Sequence, residues 1–254
     1  MSNAKLSKQE RRDAAREQAR KLREAQKRRE RRNRVLIIAG VVVFIAIVAA
    51  ALFSIISSAN KDPLEGVEQP AGATEQGAIQ VGADGVGSVS EGAPVVDLYL
   101  DYLCGHCANF EAINAGVLDE LAATGAATVN YHPVAYIGGS DFNIRAANAL
   151  ATVATDSPEH FGELNTQLFA AQGEGGATPL SDDQIADVAR EVGVPDDVID
   201  TFTDGRFTEW VEGATEQARA DDIRGTPTVL IDGEDFTGWQ QPGALEQAVT
   251  DAAA

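Results

Sequence analysis

Residues 94–111 read PVVDLYLDYLCGHCANFE. Pro94 to Leu103 is rich in β-branched and aromatic residues, the composition of a buried strand. Cys104-Gly105-His106-Cys107 follows at once. From Ala108 to Ala123 the spacing becomes helical: Phe110, Ile113, Val117, Leu118 and Leu121 can share one face, and Gly125 supplies the stop. The order strand, cysteine pair, helix predicts that Cys104 stands at a helix N-terminus. Unpaired N–H groups and the positive end of the helix dipole favour a thiolate there. The thiolate is the attacking species in disulfide exchange and also the better leaving group. His106, between the two cysteines, can lower the Cys104 pKa further by charge or a hydrogen bond.

These are the only two cysteines in 254 residues. A bridge between them closes a very short loop and adds little stability by chain entropy, so a reactive pair is the stronger reading than a structural one. A zinc site needs a second Cys or His pair. The remaining histidines, His132 and His160, are isolated in the sequence, so no metal site is expected. Haem attachment needs a histidine directly after the second cysteine, and Ala108 stands there.

Downstream, Ala127 to Ala135 reads as a second strand. Helical patterns follow over 142–154, 158–171 and 206–220. Ser181 to Gln184 carries a capping-box pattern, and Pro195 opens a short helix. Thr228 to Ile231 returns to strand, Asp232-Gly233 turns, a shorter strand lies near Phe236, and 242–253 closes the chain as a helix. Gly225-Thr226-Pro227-Thr228 enters the strand at 228. A proline there removes a ladder donor, and the Thr226–Pro227 bond is a candidate for the cis isomer.

Upstream, charge is split unevenly. Residues 1–34 hold 14 of the 20 Lys and Arg but 5 of the 39 Asp and Glu, leaving a formal net of about −28 on the rest. So acidic a body repels a phosphate backbone, which argues against nucleic acid as a partner. Residues 35–58 are uncharged and apolar, long enough for one transmembrane helix. The basic segment 1–34 predicts a cytoplasmic N-terminus and an extracytoplasmic C-terminal body. An uncleaved anchor is the favoured reading, with a cleaved signal peptide as its competitor. Residues 59–93, rich in Gly, Ala, Glu and Ser, read as a flexible linker, with a short strand over 78–81 at the edge of the folded domain.

Strand, Cys-x-x-Cys, helix and a distant Thr-Pro before a strand resemble the thioredoxin superfamily. The long helical stretch, at about 140–222, resembles the insertion of the DsbA-like thiol–disulfide oxidoreductases. Leu100 to Cys104 and Gly225 to Thr228 resemble motifs of their membrane-tethered bacterial branch. The resemblance implies an α/β thioredoxin-like domain over 94–254 with an inserted helical subdomain. It implies Cys104 as exposed nucleophile, Cys107 as buried resolving thiol, and Pro227 as a cis-proline facing them. Thr226 and Gly225 would meet substrate backbone. The implied activity introduces disulfides into exported unfolded proteins, with the Cys104–Cys107 disulfide in place of any cofactor and a membrane quinone-linked protein as reoxidant. A reductase or isomerase, for example in cytochrome maturation, and a tethered non-enzymatic peptide-binding chaperone are the alternatives. One departure stands out. Many members place a buried acid six residues before the first cysteine to assist proton transfer, and here that residue is Leu98. Asp97, one residue earlier, points to the other face, which it shares with Tyr99 and Asp101.

Overall fold

A computed structural model describes residues 8–59, 62–173 and 178–254. The ends of the basic segment and linker at 1–7 and 60–61, and a loop inside the helical insertion at 174–177, lie outside the described residues. The chain divides into two units, Met1–Lys61 and Asp62–Ala254.

The first unit is one helix, α1 (Lys8–Ala59), which carries the basic segment and the apolar run without a break. Its 52 residues rise about 78 Å. The stretch Ala19–Ala50 contains a window of mean hydropathy 2.5 and is a candidate membrane span. Val35, Leu36, Ile37 and Ile38 are each more than half exposed, as is Phe44. A helix apolar on all sides suits hydrocarbon rather than one buried face.

In the second unit, β1 (Ile79–Gly82) and β2 (Gly85–Val86) form a tight hairpin. β3 (Val95–Leu100) leads to α2 (Gly105–Ala123), and β4 (Thr128–Pro133) returns parallel to β3. The insertion follows as α3 (Phe142–Asp156), α4 (Phe161–Ala170), α5 (Asp182–Glu191), α6 (Asp196–Ile199) and α7 (Thr208–Ala220). β5 (Thr228–Ile231), β6 (Glu234–Asp235) and α8 (Ala244–Ala252) complete it. The sheet order is β2-β1-β4-β3-β5-β6, with β3 at its heart between β4 and antiparallel β5. This is the thioredoxin-like α/β architecture with a helical insertion.

Alternation on β3 sets the layers. Val96, Leu98 and Leu100 enter the main core, while Tyr99 joins Val134 and Ala218 in a smaller cluster. The capping box at α5 forms as its sequence predicts: the Gln184 N–H donates to Ser181 Oγ and the Ser181 N–H to Gln184 Oε1.

The linker reading of 59–93 needs correction, because from Asp62 onward the chain is part of the folded unit. Leu64 and Ile79 are buried in the main core. β1 pairs with β4 and β2 on its two sides, so it is interior to the sheet and β2 forms the edge. Short apolar runs among glycines hide this from a composition reading. The glycines here permit close approach: a Cβ on Gly213 of α7 would sit 2.7 Å from the Pro63 carbonyl oxygen and 2.9 Å from Leu64. α2 also sits rotated from the expected stripe. Glu111 and Asn114 are buried, while Ile113 is 37% exposed. Asn114 Nδ2 earns the inward position by donating to the carbonyls of Phe110 (2.9 Å) and Trp239 (3.1 Å).

Gly213→Ala gives a sign test of the docked segment. In an undocked helix the change should stabilise by about 0.5–1 kcal/mol through helix propensity. Against Pro63 and Leu64 it should instead destabilise by about 1–3 kcal/mol by overpacking, read from urea unfolding.

Candidate active site

β3 ends at Leu100, and the next four residues carry the chain from sheet to helix. Asp101 organises that passage. Its fully buried carboxylate accepts the N–H groups of Leu103 (2.8 Å), Tyr136 (2.7 Å) and Ile137 (2.8 Å), and Asn143 Nδ2 (3.0 Å). The approach to the cysteines is thereby tied to the 136–137 segment and to α3. Burial raises the Asp101 pKa, and the four donors offset it only in part.

Cys104 is the N-cap of α2, in extended conformation (φ −95°, ψ 110°). Cys104 and Cys107 are free thiols 3.3 Å apart. As a thiol, Cys104 Sγ donates to the Thr226 carbonyl at 3.4 Å. The Thr226–Pro227 bond is cis, as its sequence context suggests. Cys104 is 6% exposed, less than an exposed nucleophile implies, and Cys107 is fully buried. Cys104 alone of the pair lines a groove of about 490 Å³, with Tyr136, Ile137, Ile223, Gly225 and Thr226 among its walls.

The two thiols are driven apart electrostatically. A hydrogen bond from the Cys107 thiol, opposed by burial and helped by Thr226 and the N–H groups of Cys107 and His106, lowers the Cys104 pKa to about 5. Burial first, then the hydrogen bond to Cys104 and its charge, push Cys107 far up. His106 thus acts on Cys104 through its backbone, while its side chain is exposed. The Cys107 thiol leads the tuning that the sequence reading gave to the imidazole, and the first-turn N–H groups add a smaller part. Pro227, Thr226 and Gly225 stand on the strand entry, with Thr226 directly against Cys104.

Leu98 is in the core, so no carboxylate occupies its position. Asp97 is engaged elsewhere. Its Oδ1 accepts Asn130 Nδ2 (2.9 Å) and pairs with His132 Nε2 (3.0 Å), whose ring stacks on Tyr99 (4.0 Å). Burial raises the Asp97 pKa, but the bonds from His132 and Asn130 outweigh it and hold the carboxyl below its usual range. His132, isolated in sequence, is therefore partnered in the fold.

Sequence reasoning missed Glu111, a buried acid on the active helix, one turn after Cys107. Its Oε1 accepts Asn165 Nδ2 (3.0 Å), and Asn165 Oδ1 accepts the Tyr102 hydroxyl (2.7 Å). Burial chiefly raises its pKa to about 7. An acid directly after the inward-facing Phe110 was the available signal. Among the described residues no cluster of His, Cys, Asp and Glu could hold a metal ion.

The chemistry of Cys104 can be read directly. In the reduced protein, alkylation by iodoacetamide should follow a single ionisation centred near pH 5 and be lost in Cys104→Ser. A midpoint near 9, the ordinary thiol value, would show that the fold does not stabilise the Cys104 thiolate.

Comparison with known proteins agrees with this geometry. The family model described as thioredoxin matches residues 88–251. The search of curated proteins returns no match. Among solved structures, the chain resembles the MdbA thiol–disulfide oxidoreductase of Actinomyces oris at 25% identity and TM-score 0.62, covering 76% of this chain and 97% of that one. Reduced DsbA from Mycobacterium tuberculosis matches at 26% identity and TM-score 0.57, with 68% and 91% covered. The MdbA protein of Corynebacterium diphtheriae, at 24% identity and TM-score 0.59, covers 74% and 99% and shares the fold. With a cysteine pair at a helix N-terminus and the carbonyl of the cis Thr226–Pro227 bond against Cys104, the chain belongs to the thioredoxin family and is a thiol–disulfide oxidoreductase of the DsbA and MdbA type.

Proposed function

We propose that this protein introduces disulfides into exported polypeptides, from a domain held outside the cytoplasm by α1. The observation that carries the reading is the placement of the two sulfurs, 3.3 Å apart, with Cys104 at the N-cap of α2 on the groove and Cys107 fully buried, a placement that lowers the Cys104 pKa to about 5 and raises that of Cys107. A thiolate stabilised in the reduced form makes the corresponding disulfide a stronger oxidant.

The reaction starts from the Cys104–Cys107 disulfide, with no other cofactor. A substrate thiolate attacks Cys104 Sγ and forms a mixed disulfide. The Cys104–Cys107 bond breaks, and its electron pair leaves on Cys107, which takes up a proton. A second substrate thiolate then attacks the substrate sulfur and expels Cys104 as a thiolate. The substrate loses two electrons and two protons, and the enzyme pair gains the electrons. In this reading Thr226, Gly225 and Pro227 wall the site where the substrate chain lies. Reoxidation falls to a membrane protein that passes the electrons to quinone.

The basic residues before the apolar run support a cytoplasmic N-terminus and a single uncleaved span over 35–58. Disulfides persist outside the cytoplasm, which fits the chemistry to that side. Nothing favours the peptide-binding chaperone over exchange, because a chaperone has no use for the split in thiol acidity.

Cys107→Ser in the full chain should trap exported proteins on Cys104 as mixed disulfides, and equilibration of the purified protein with glutathione should give a potential above that of thioredoxin, about −270 mV. A potential at or below that value would reverse the direction to reduction. Absence of any Cys104-dependent adduct would remove the exchange mechanism.

A further inference from the structure

Between Asp62 and Ala254 the sequence holds 34 acidic residues and five basic ones, all arginine. Three of the five are each shared between two carboxylates. Arg145 pairs with Asp141 (3.1 Å) and Asp182 (2.6 Å). Arg190 pairs with Asp187 (2.8 Å) and Asp196 (3.1 Å). Arg206 pairs with Glu68 (2.7 Å) and Asp156 (3.4 Å). These bridges tie the acidic body together.

The other two, Arg219 and Arg224, both line the groove beside Cys104. Each has a single carboxylate partner close in sequence, Glu216 for Arg219 and Asp222 for Arg224. Their side chains are 44% and 77% exposed. Arg219 also lies over the Tyr136 ring at 5.1 Å, and the Tyr136 hydroxyl donates to the Ile223 carbonyl (2.9 Å), which fixes that wall. The nearby acids do not line the groove. Glu216 and Asp222 engage the two arginines from outside it, and Asp221 accepts the Gln217 amide (3.1 Å). Among the described residues, the charged side chains lining this groove are therefore both cations, in a body that is otherwise strongly anionic. A guanidinium has five N–H donors in a fork suited to a carboxylate, and one exposed carboxylate leaves part of that fork available. Exposed pairs with neighbours are weak enough to be exchanged or shared.

We propose that the groove selects polypeptides whose reacting cysteine is flanked by an acidic side chain, with Arg219 and Arg224 holding that carboxylate while Cys104 exchanges with the thiol. This rests on the disulfide-exchange reading above and adds the substrate class to it. It also runs against the global field, because the net charge of the domain alone would favour basic peptides.

The test uses the oxidised full chain in detergent and reduced dithiol peptides that differ only in the residues flanking one cysteine: Glu, Gln or Lys. Single-turnover oxidation should be about three- to tenfold faster for the Glu peptide than for the Gln peptide at low salt. The ratio should shrink in 0.5 M salt and fall to about one in Arg219→Gln/Arg224→Gln. The ratio is taken within each protein, so a general loss of activity in the variant does not imitate the effect. Equal rates for the three peptides, preference for the Lys peptide, or an unchanged ratio in the double variant would overturn the proposal. Oxidation of dithiothreitol by the unaltered protein separates the two readings. If it proceeds while the peptide ratio is one, the groove assignment alone falls; if it does not, the exchange reading falls and takes the groove assignment with it.

Discussion

The site depends on Cys104 meeting the first turn of α2. The N-cap position sets the sulfur at the positive end of the helix, beside first-turn N–H groups. The sulfur of Cys107 comes up one turn later, and the Thr226 carbonyl closes the third side. Everything else holds these three pieces in register. β3 lies between β4 and β5, so the strand that leads to Cys104 and the strand that begins after Pro227 are direct neighbours, with Tyr99 opposite Thr228. Asp101 then fixes the turn between strand and helix by occupying its carboxylate with four donors. A buried carboxylate that leaves its donors unpaired costs about 1–3 kcal/mol for each, so this network is expensive to disturb.

The arrangement divides labour between two chemically identical side chains. Cys104 lies at the groove and ionises readily, whereas Cys107 is sealed below it and holds its proton. A first thiolate can therefore reach only Cys104, and when a second thiolate resolves the mixed disulfide it expels Cys104, the sulfur better able to carry charge. Position relative to α2 and to solvent produces this difference. The acid that many relatives place behind this pair is replaced by Leu98, while Asp97 is held by His132 and Asn130 and Glu111 lies buried on the helix itself.

Much of this was legible in the sequence because it is local. A strand followed at once by two cysteines and a helical stripe leaves little freedom, and the Thr226–Pro227 pair before a β-branched run marks the facing strand. The capping box at Ser181 is equally local. What stayed hidden depends on tertiary contact. Residues 62–93 look like a linker because Leu64 stands alone between Pro63 and Glu65 and Ile79 lies in a four-residue run between glycines, and their burial needs α7 and β4 as partners. Glu111 and Asn114 turn inward because hydrogen-bond partners wait on α4 and near Trp239, which no periodicity reveals. His106 shows the same limit: its side chain invites a role, yet the Cys107 thiol makes the largest contribution and His106 adds only its backbone N–H.

The fold stabilises the reduced pair through the Cys104 thiolate. The Cys104 pKa in the folded protein lies below the unfolded value, so its ionisation stabilises the reduced fold. That contribution is complete above about pH 9 and is lost as pH falls through about 5. The short Cys104–Cys107 loop gives the oxidised form little entropic compensation. Denaturant unfolding of the reduced and oxidised proteins, side by side at pH 7, measures this balance directly. The reduced protein should be the more stable of the two, with the gap narrowing toward pH 5. An oxidised protein more stable than the reduced one at pH 7 would contradict it.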